Sequence, residues 1–169
     1  ITDGSSTKPF TELYPGVSLS GNLIENIMSA PESYMWIHTN HGLDRFNTAT
    51  MQLSSYRQFN GQERICFNDR GDLFVLGTDS RLYYLPGGSD SDFIEILSDG
   101  LSYDNTVFIT VVSDILTVYG ADGVVAYELS LDAGHPRLKG GRLLSADGVA
   151  VAHDDDTGVL VAGTDVRLR

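Results

Sequence analysis

Four short segments along the chain share one pattern: an apolar stretch runs into a turn and resumes at an apolar residue seven positions after the segment begins. They are Trp36-Ile-His-Thr-Asn-His-Gly-Leu43, Val75-Leu-Gly-Thr-Asp-Ser-Arg-Leu82, Thr117-Val-Tyr-Gly-Ala-Asp-Gly-Val124 and Val161-Ala-Gly-Thr-Asp-Val-Arg-Leu168. Their final residues recur after 39, 42 and 44 positions. A repeat of roughly 40–50 residues built from short strands predicts a β-propeller, with one four-stranded antiparallel blade per repeat. Propellers serve catalysis, ligand binding and scaffolding alike, so the period fixes architecture and leaves function to particular residues.

The local pattern agrees with an all-β fold. Strand-like runs cover Tyr34–Thr39, Leu73–Thr78, Arg81–Leu85, Phe93–Leu97, Val107–Val112, Ile115–Tyr119, Val124–Leu129, Val149–His153 and Val159–Gly163. Turn residues separate them at Asp69-Arg-Gly71, Pro86-Gly-Gly88, Ala121-Asp-Gly123 and Asp156-Thr-Gly158. The sequence predicts blade 1 at about 22–59, blade 2 at about 63–97, blade 3 at about 105–143 and a partial blade 4 at about 147–169. A second repeated element links Phe10–Ile27 to Phe93–Ile109, each reading as outer strand, crossing loop and next inner strand. On that reading residues 9–14 are the outer strand of another blade, or of the closing one. The expectation is a segment of a larger propeller of about seven blades, with a complete four-blade ring as the alternative. An open arc would expose strand edges and favour a homodimer.

Composition narrows the partners. Lys and Arg total 11 against 23 Asp and Glu, a formal charge of −12. Such a surface repels phosphate backbones and anionic lipid, which argues against nucleic acid and membrane surfaces and leaves neutral partners such as carbohydrate unopposed. No apolar run approaches the roughly 20 residues of a membrane-spanning helix. The single cysteine, Cys66, cannot form an internal disulfide and reads as a small core residue. The chain begins at Ile1 without a leader-like segment and reads as trimmed from something longer.

The stretch Ile24-Glu-Asn-Ile-Met-Ser-Ala-Pro-Glu-Ser-Tyr-Met-Trp-Ile-His-Thr-Asn-His-Gly-Leu-Asp-Arg-Phe46 resembles the two-component regulator propeller repeat. That pattern is an inner strand, a polar turn, Leu-Trp-Ile-Gly-Thr, two variable residues, Gly-Leu and a polar–aromatic ending. Asp154–Thr164 is similar to the same turn and strand, with Val161 in place of tryptophan; Leu73–Thr78 is less similar, and the third repeat departs further, with Gly120 at the threonine position. The resemblance implies a sensor ectodomain of a hybrid two-component system of the Bacteroidetes type. It further implies a periplasmic location, an immunoglobulin-like or propeller neighbour in the same parent, and oligosaccharide sensing.

Candidate sites follow from chemistry. Trp36 is expected in the core rather than as a sugar-stacking platform. His38 and His41 do not make a metal pair, because three residues on a strand do not return to one face. The acidic runs Asp154–Asp156 and Asp90-Ser-Asp92 lack the spacing of a calcium loop and read as solvated turns. No nucleophile elbow, phosphate loop or zinc signature is present: Gly16-Val-Ser-Leu-Ser-Gly21 carries one residue too many. No catalytic residue, metal or cofactor is expected. The loops between second and third strands are expected on the same face as the inter-blade crossings, which nominates Asn40, His41, Asp79, Arg81, Asp122, Asp165 and Arg167 for ligand binding, with Asn22 and Asn105 nearby. Amides, carboxylates and guanidinium groups are the partners sugar hydroxyls need. The expected function is non-catalytic recognition of oligosaccharide; a propeller lyase and a protein-interaction scaffold are the alternatives.

Overall fold

In the computed structural model, which describes residues 8–30, 33–132, 135–145, 149–154 and 158–163, three four-stranded antiparallel sheets follow one another along the chain. The first holds β1 (Ile24–Ala30), β2 (Tyr34–Thr39), β3 (Gly42–Asn47) and β4 (Gln52–Tyr56). The second holds β5 (Arg64–Phe67), β6 (Leu73–Leu76), β7 (Leu82–Leu85) and β8 (Ile94–Ile96). The third holds β9 (Thr106–Val112), β10 (Ile115–Gly120), β11 (Gly123–Ser130) and β12 (Arg137–Ser145), and a hairpin of β13 (Val149–Asp154) and β14 (Gly158–Gly163) follows. Spatial order equals chain order in every sheet. The protein is therefore all-β and built of propeller blades, as its period implies. It divides into two compact units, Ile1–Gln62 and Glu63–Arg169.

In the first unit, strand alternation sorts the side chains of β2 and β3 onto two faces. Ile37 and Phe46 share one face and are fully buried there beneath Phe10, with Tyr14, Val17, Leu19, Met35 and Leu53 around them. The other face carries Trp36, 3% exposed and stacked on Tyr56 at 5.8 Å between ring centroids. The Arg45 guanidinium lies over the Tyr34 ring at 3.8 Å, a cation–π contact. Trp36 is thus a core residue, as expected.

Residues 9–14 correct the sequence reading. The expected outer strand is instead one helical turn, α1 (Phe10–Leu13). Pro9 starts it and Lys8 pairs with Glu12 across the turn at 3.4 Å. Phe10 and Tyr14, four residues apart, meet each other at 5.0 Å and reach Phe46 at 5.3 and 4.7 Å. That spacing is the helical one, and the apolar cover it gives to Phe46 outweighs the strand propensity of an isolated aromatic pair.

The second unit has its core between its two four-stranded sheets. Phe74, Leu76, Leu82 and Ile96 pack against Ile109, Val111, Leu116, Val118 and Leu129. All of β6 is buried, which is why Leu73-Phe-Val-Leu76 reads as a continuous apolar run. Cys66 packs against this cluster, and burial pushes its thiol up to about 12 despite a hydrogen bond from the Val111 backbone. The sheets also join through hydrogen bonds to main chain. Arg64 Nε donates to the Thr106 carbonyl at 3.0 Å beside the adjacent strands β5 and β9. At their far edges, Leu97 forms a parallel bridge with Arg137: Leu97 N–H donates to Pro136 O at 3.1 Å and Leu138 N–H to Leu97 O at 2.9 Å. Strand β12 was not foreseen, because Gly140-Gly141 interrupts it. It forms because the Tyr127 ring, directly across the ladder, lies where a side chain on Gly141 would be, 2.9 Å from the nearest ring atom.

Candidate functional site

Turn and crossing loop are locked together in each blade. In the first unit Asn40 lies between β2 and β3. Its N–H donates to the Leu23 carbonyl at 3.0 Å, and its side-chain oxygen accepts the Leu23 N–H at 3.2 Å. Two glycines let the chain press against this turn. A Cβ on Gly21 would stand 2.4 Å from Asn40 Oδ1, and one on Gly61, where φ is +92°, would stand 2.7 Å from the Thr39 carbonyl.

Beneath the turn lies a buried polar network. The Asp44 carboxylate is fully buried and accepts Ser20 N–H at 2.8 Å, Ser20 Oγ at 2.9 Å and Ser55 Oγ at 2.5 Å. Since Ser20 gives its one hydroxyl proton to the carboxylate, Thr39 Oγ1 divides its own between Ser20 Oγ at 2.8 Å and the Gly42 carbonyl at 3.1 Å. Thr39 Oγ1 also accepts the His41 N–H at 3.3 Å. The exposed ring of His41 and the half-buried amide of Asn40 therefore stand on a rigid base.

In the second unit the same connection recurs twice. Ser80 Oγ accepts the Tyr103 N–H at 3.0 Å, and Ala121 N–H donates to the Asn105 carbonyl at 3.0 Å, so one crossing loop holds the turns of both blades. Asp79 and Arg81 meet in an exposed cluster. Asp79 Oδ1 accepts the Arg81 N–H at 3.1 Å and Oδ2 accepts the Tyr83 hydroxyl at 2.7 Å, while Arg81 Nη1 reaches Glu95 Oε2 at 3.2 Å. Burial, then the Asp79 carboxylate, pushes the Tyr83 phenol up to about 12, so it remains a donor at neutral pH. Exposed ion pairs of this kind contribute about 0.2–1 kcal/mol, so the cluster orients its groups more than it stabilises the fold.

Arg81 faces a cleft of about 460 Å³ shared with Ser80, Glu95, Ser98, Asp99 and Arg137. Asp122 lines a different, smaller cleft of about 180 Å³ with Leu101, Asn105 and Tyr127. The structure thus brings Asp79 and Arg81 together, places Asp122 by another cleft, and puts Asn40 and His41 in the other unit. Asp165 and Arg167 lie outside the described residues, as do Asp155 and Asp156. Sequence reasoning missed Tyr83 and Glu95. The alternation Arg81-x-Tyr83 puts both on one strand face, but Glu95 joins them only through the β7–β8 register, which pairs it with Tyr83. His38 is buried in the sheet, whereas His41 is exposed in the turn.

No protein-family model matches the chain, and no curated protein does. Among solved structures it is similar to the extracellular domain ascribed to the one component system BT4673 from B. thetaiotaomicron, with 17% identity and a TM-score of 0.57 over 86% of this chain. It is also similar to PorZ, a bacterial surface component of the type-IX secretion system of Porphyromonas gingivalis, with 14% identity and a TM-score of 0.51 over 90% of this chain. The chain spans 20% of the length of each. These likenesses are of fold. Among the described residues no helix is long and apolar enough to cross a membrane.

Proposed function

We propose that the protein is a non-catalytic recognition segment of a periplasmic sensor ectodomain of the hybrid two-component type, and that it binds oligosaccharide at the ends of its blades where turns and crossings meet. The observation that carries this reading is the anchoring of each described turn to a crossing loop. It holds the exposed side chains of His41, Asp79 and Arg81 and the half-buried amide of Asn40 on rigid supports, with the Asn40 and Asp79 oxygens already accepting bonds within the turns. Preorganised amide, carboxylate and guanidinium groups suit a ligand whose hydroxyls both donate and accept, because little ordering remains to be done on binding. The resemblance of Ile24–Phe46 to the regulator repeat and the fold shared with an extracellular domain of a one component system support the same reading. So does the charge of −12, which disfavours polyanionic partners.

The test is isothermal titration calorimetry of the chain against a panel of plant and host-glycan oligosaccharides. One class should bind, and Arg81→Ala should weaken it at least about tenfold, as loss of a charged hydrogen-bond donor does. If no oligosaccharide binds, or if Asn40→Ala, His41→Ala and Arg81→Ala all leave the affinity unchanged, the reading fails. A scaffold for protein partners is the second reading, favoured by Leu97, Val112 and Leu143, which are 64%, 65% and 60% exposed. Light scattering distinguishes it: a molar mass rising with concentration supports the scaffold, and a constant monomer mass opposes self-association.

A further inference from the structure

Each four-stranded sheet begins with an edge strand, and the three are covered to different degrees. β5 and β9 lie against one another and are half-buried or buried at all but one position. β1 is exposed at five of its seven positions. Among the described residues its main chain bonds to β2 alone, so its outer edge presents unpaired N–H and C=O groups.

A bulge gives this edge an apolar row. Ile24 lies opposite Thr39 and Asn26 opposite His38, so Glu25 has no partner in the ladder. Simple alternation would send Ile24 and Ile27 to opposite faces. The extra residue brings both onto the face of Thr39 and Ile37, which they pair with across the ladder. They are 37% and 43% exposed, and Leu23 beside them is 57% exposed. The apolar cluster around Ile37 and Phe46 thus runs out to an open strand edge. Two other exposed edges differ. β4 exposes only Gln52, Ser54 and Ser55. β12 carries Arg137, Lys139 and Arg142, the charges by which edges discourage pairing.

We propose that β1 is a self-association edge, pairing antiparallel with β1 of a second copy about a twofold axis at Ile27. That axis sets Ile27 opposite the partner's Ile27, Asn26 opposite the partner's Met28, Glu25 opposite the partner's Ser29 and Ile24 opposite the partner's Ala30. One sequence then satisfies both edges, as an isologous contact requires. The exposed isoleucine finds an apolar cross-strand partner, and no carboxylate meets a carboxylate. The strand holds no lysine, arginine or proline to oppose pairing. An axis at Met28 would set each Ile27 against a serine instead. A single short strand with one aliphatic row lies at the small end of protein interfaces, below about 1,200 Å², so the dimer is weak and forms as concentration rises. This inference is separate from oligosaccharide recognition and does not rest on it.

The experiment places a thiol on the axis. Ile27→Cys is oxidised at 0.15 M salt, where each copy's charge of −12 is screened beyond about 8 Å. It should give a disulfide-linked dimer on non-reducing electrophoresis, with a yield that rises with protein concentration. Directly opposed Cβ atoms lie about 4.5–5.5 Å apart, near disulfide reach. Met28→Cys should cross-link at least about tenfold more slowly, because its counterpart lies on the diagonal about 7–8 Å away. The unmodified chain, whose Cys66 packs against the second unit's core, is the control. In sedimentation velocity that chain should gain mass with concentration. Ile27→Lys sets two like charges against each other and should weaken association about five- to tenfold, with the fold intact by Trp36 fluorescence. A monomer at every concentration overturns the proposal. Cross-linking of Met28→Cys as fast as Ile27→Cys refutes the axis and overturns it too. So does a dimer that Ile27→Lys leaves unchanged, which would belong to the exposed Leu97, Val112 or Leu143 of the second unit.

Discussion

Replacing Asp44 with alanine tests whether a buried carboxylate, and not strand pairing alone, holds the first unit's crossing loop against its turn. The substitution removes three acceptor contacts at once. Ser20 N–H and Ser20 Oγ, both in a residue only 8% exposed, lose their shared partner. Each buried donor left without an acceptor costs about 1–3 kcal/mol, so the loss should total about 3–5 kcal/mol. The exposed Ser55 hydroxyl adds little, since water replaces the carboxylate there. Asp44→Asn preserves the shape: its carbonyl oxygen continues to accept from Ser20, and its amide donates to Ser55 Oγ. Only the charge assistance disappears, for a cost of about 1–2 kcal/mol. Urea unfolding followed by fluorescence reads this directly, because Trp36 is the only tryptophan and lies buried in the same sheet. If Asp44→Ala costs less than about 1 kcal/mol, or if the asparagine variant is as damaged as the alanine one, then hydrogen-bond satisfaction is not what fixes this loop.

Three further outcomes follow from the same geometry. Gly61→Ala should destabilise the first unit by about 2–3 kcal/mol in the same assay, because a positive-φ backbone and a main-chain collision act together; an unchanged midpoint refutes the close approach. Cys66, with its thiol held near 12 by burial, should resist a disulfide reagent at pH 8 in native buffer and react fully in denaturant; fast native labelling would contradict that. For Asp72, burial raises the carboxyl, but the Gly87 N–H, Asn68 and Arg70 together hold it below its ordinary value. Its stabilisation is therefore complete above the unfolded value of about 3.9 and lost as pH falls through the lower folded one. Acid titration of the urea midpoint should show that loss, and Asp72→Asn should flatten it.

The strands legible in the sequence were those whose residues are selected by the sheet itself. Thr106–Val112 and Ile115–Gly120 are rich in β-branched and aromatic residues, and the turns between second and third strands carry the expected Asn, Asp and Gly. What escaped was fixed by distant partners. Residues 10–13 became helical because Phe46 offers an apolar surface to an i, i+4 aromatic pair. Strand β12 formed across two glycines because Tyr127 covers one of them. At the candidate site, Asp79 and Arg81 lie close enough in sequence to be read as neighbours, whereas Glu95 depends on register. The bridge from Arg70 to Asp114 spans 44 residues and belongs to no local pattern. The role of Gly21 and Gly61 was equally hidden, since each is a turn glycine in sequence and a clearance for Thr39 and Asn40 in space.

The parallel bridge at Leu97 has a mechanical meaning. Side-chain packing between two sheets resists separation but permits small slides, since apolar contacts carry no direction. Hydrogen bonds do carry one, and here they fasten the two blades of the second unit at opposite edges, through the Arg64 side chain to the Thr106 carbonyl at one and through the Leu97 main chain to Pro136 and Leu138 at the other. A wedge pinned along both margins cannot open or shear without breaking bonds at one of them. These two blades therefore move as a single stiff plate, and a load applied to one is borne by the other.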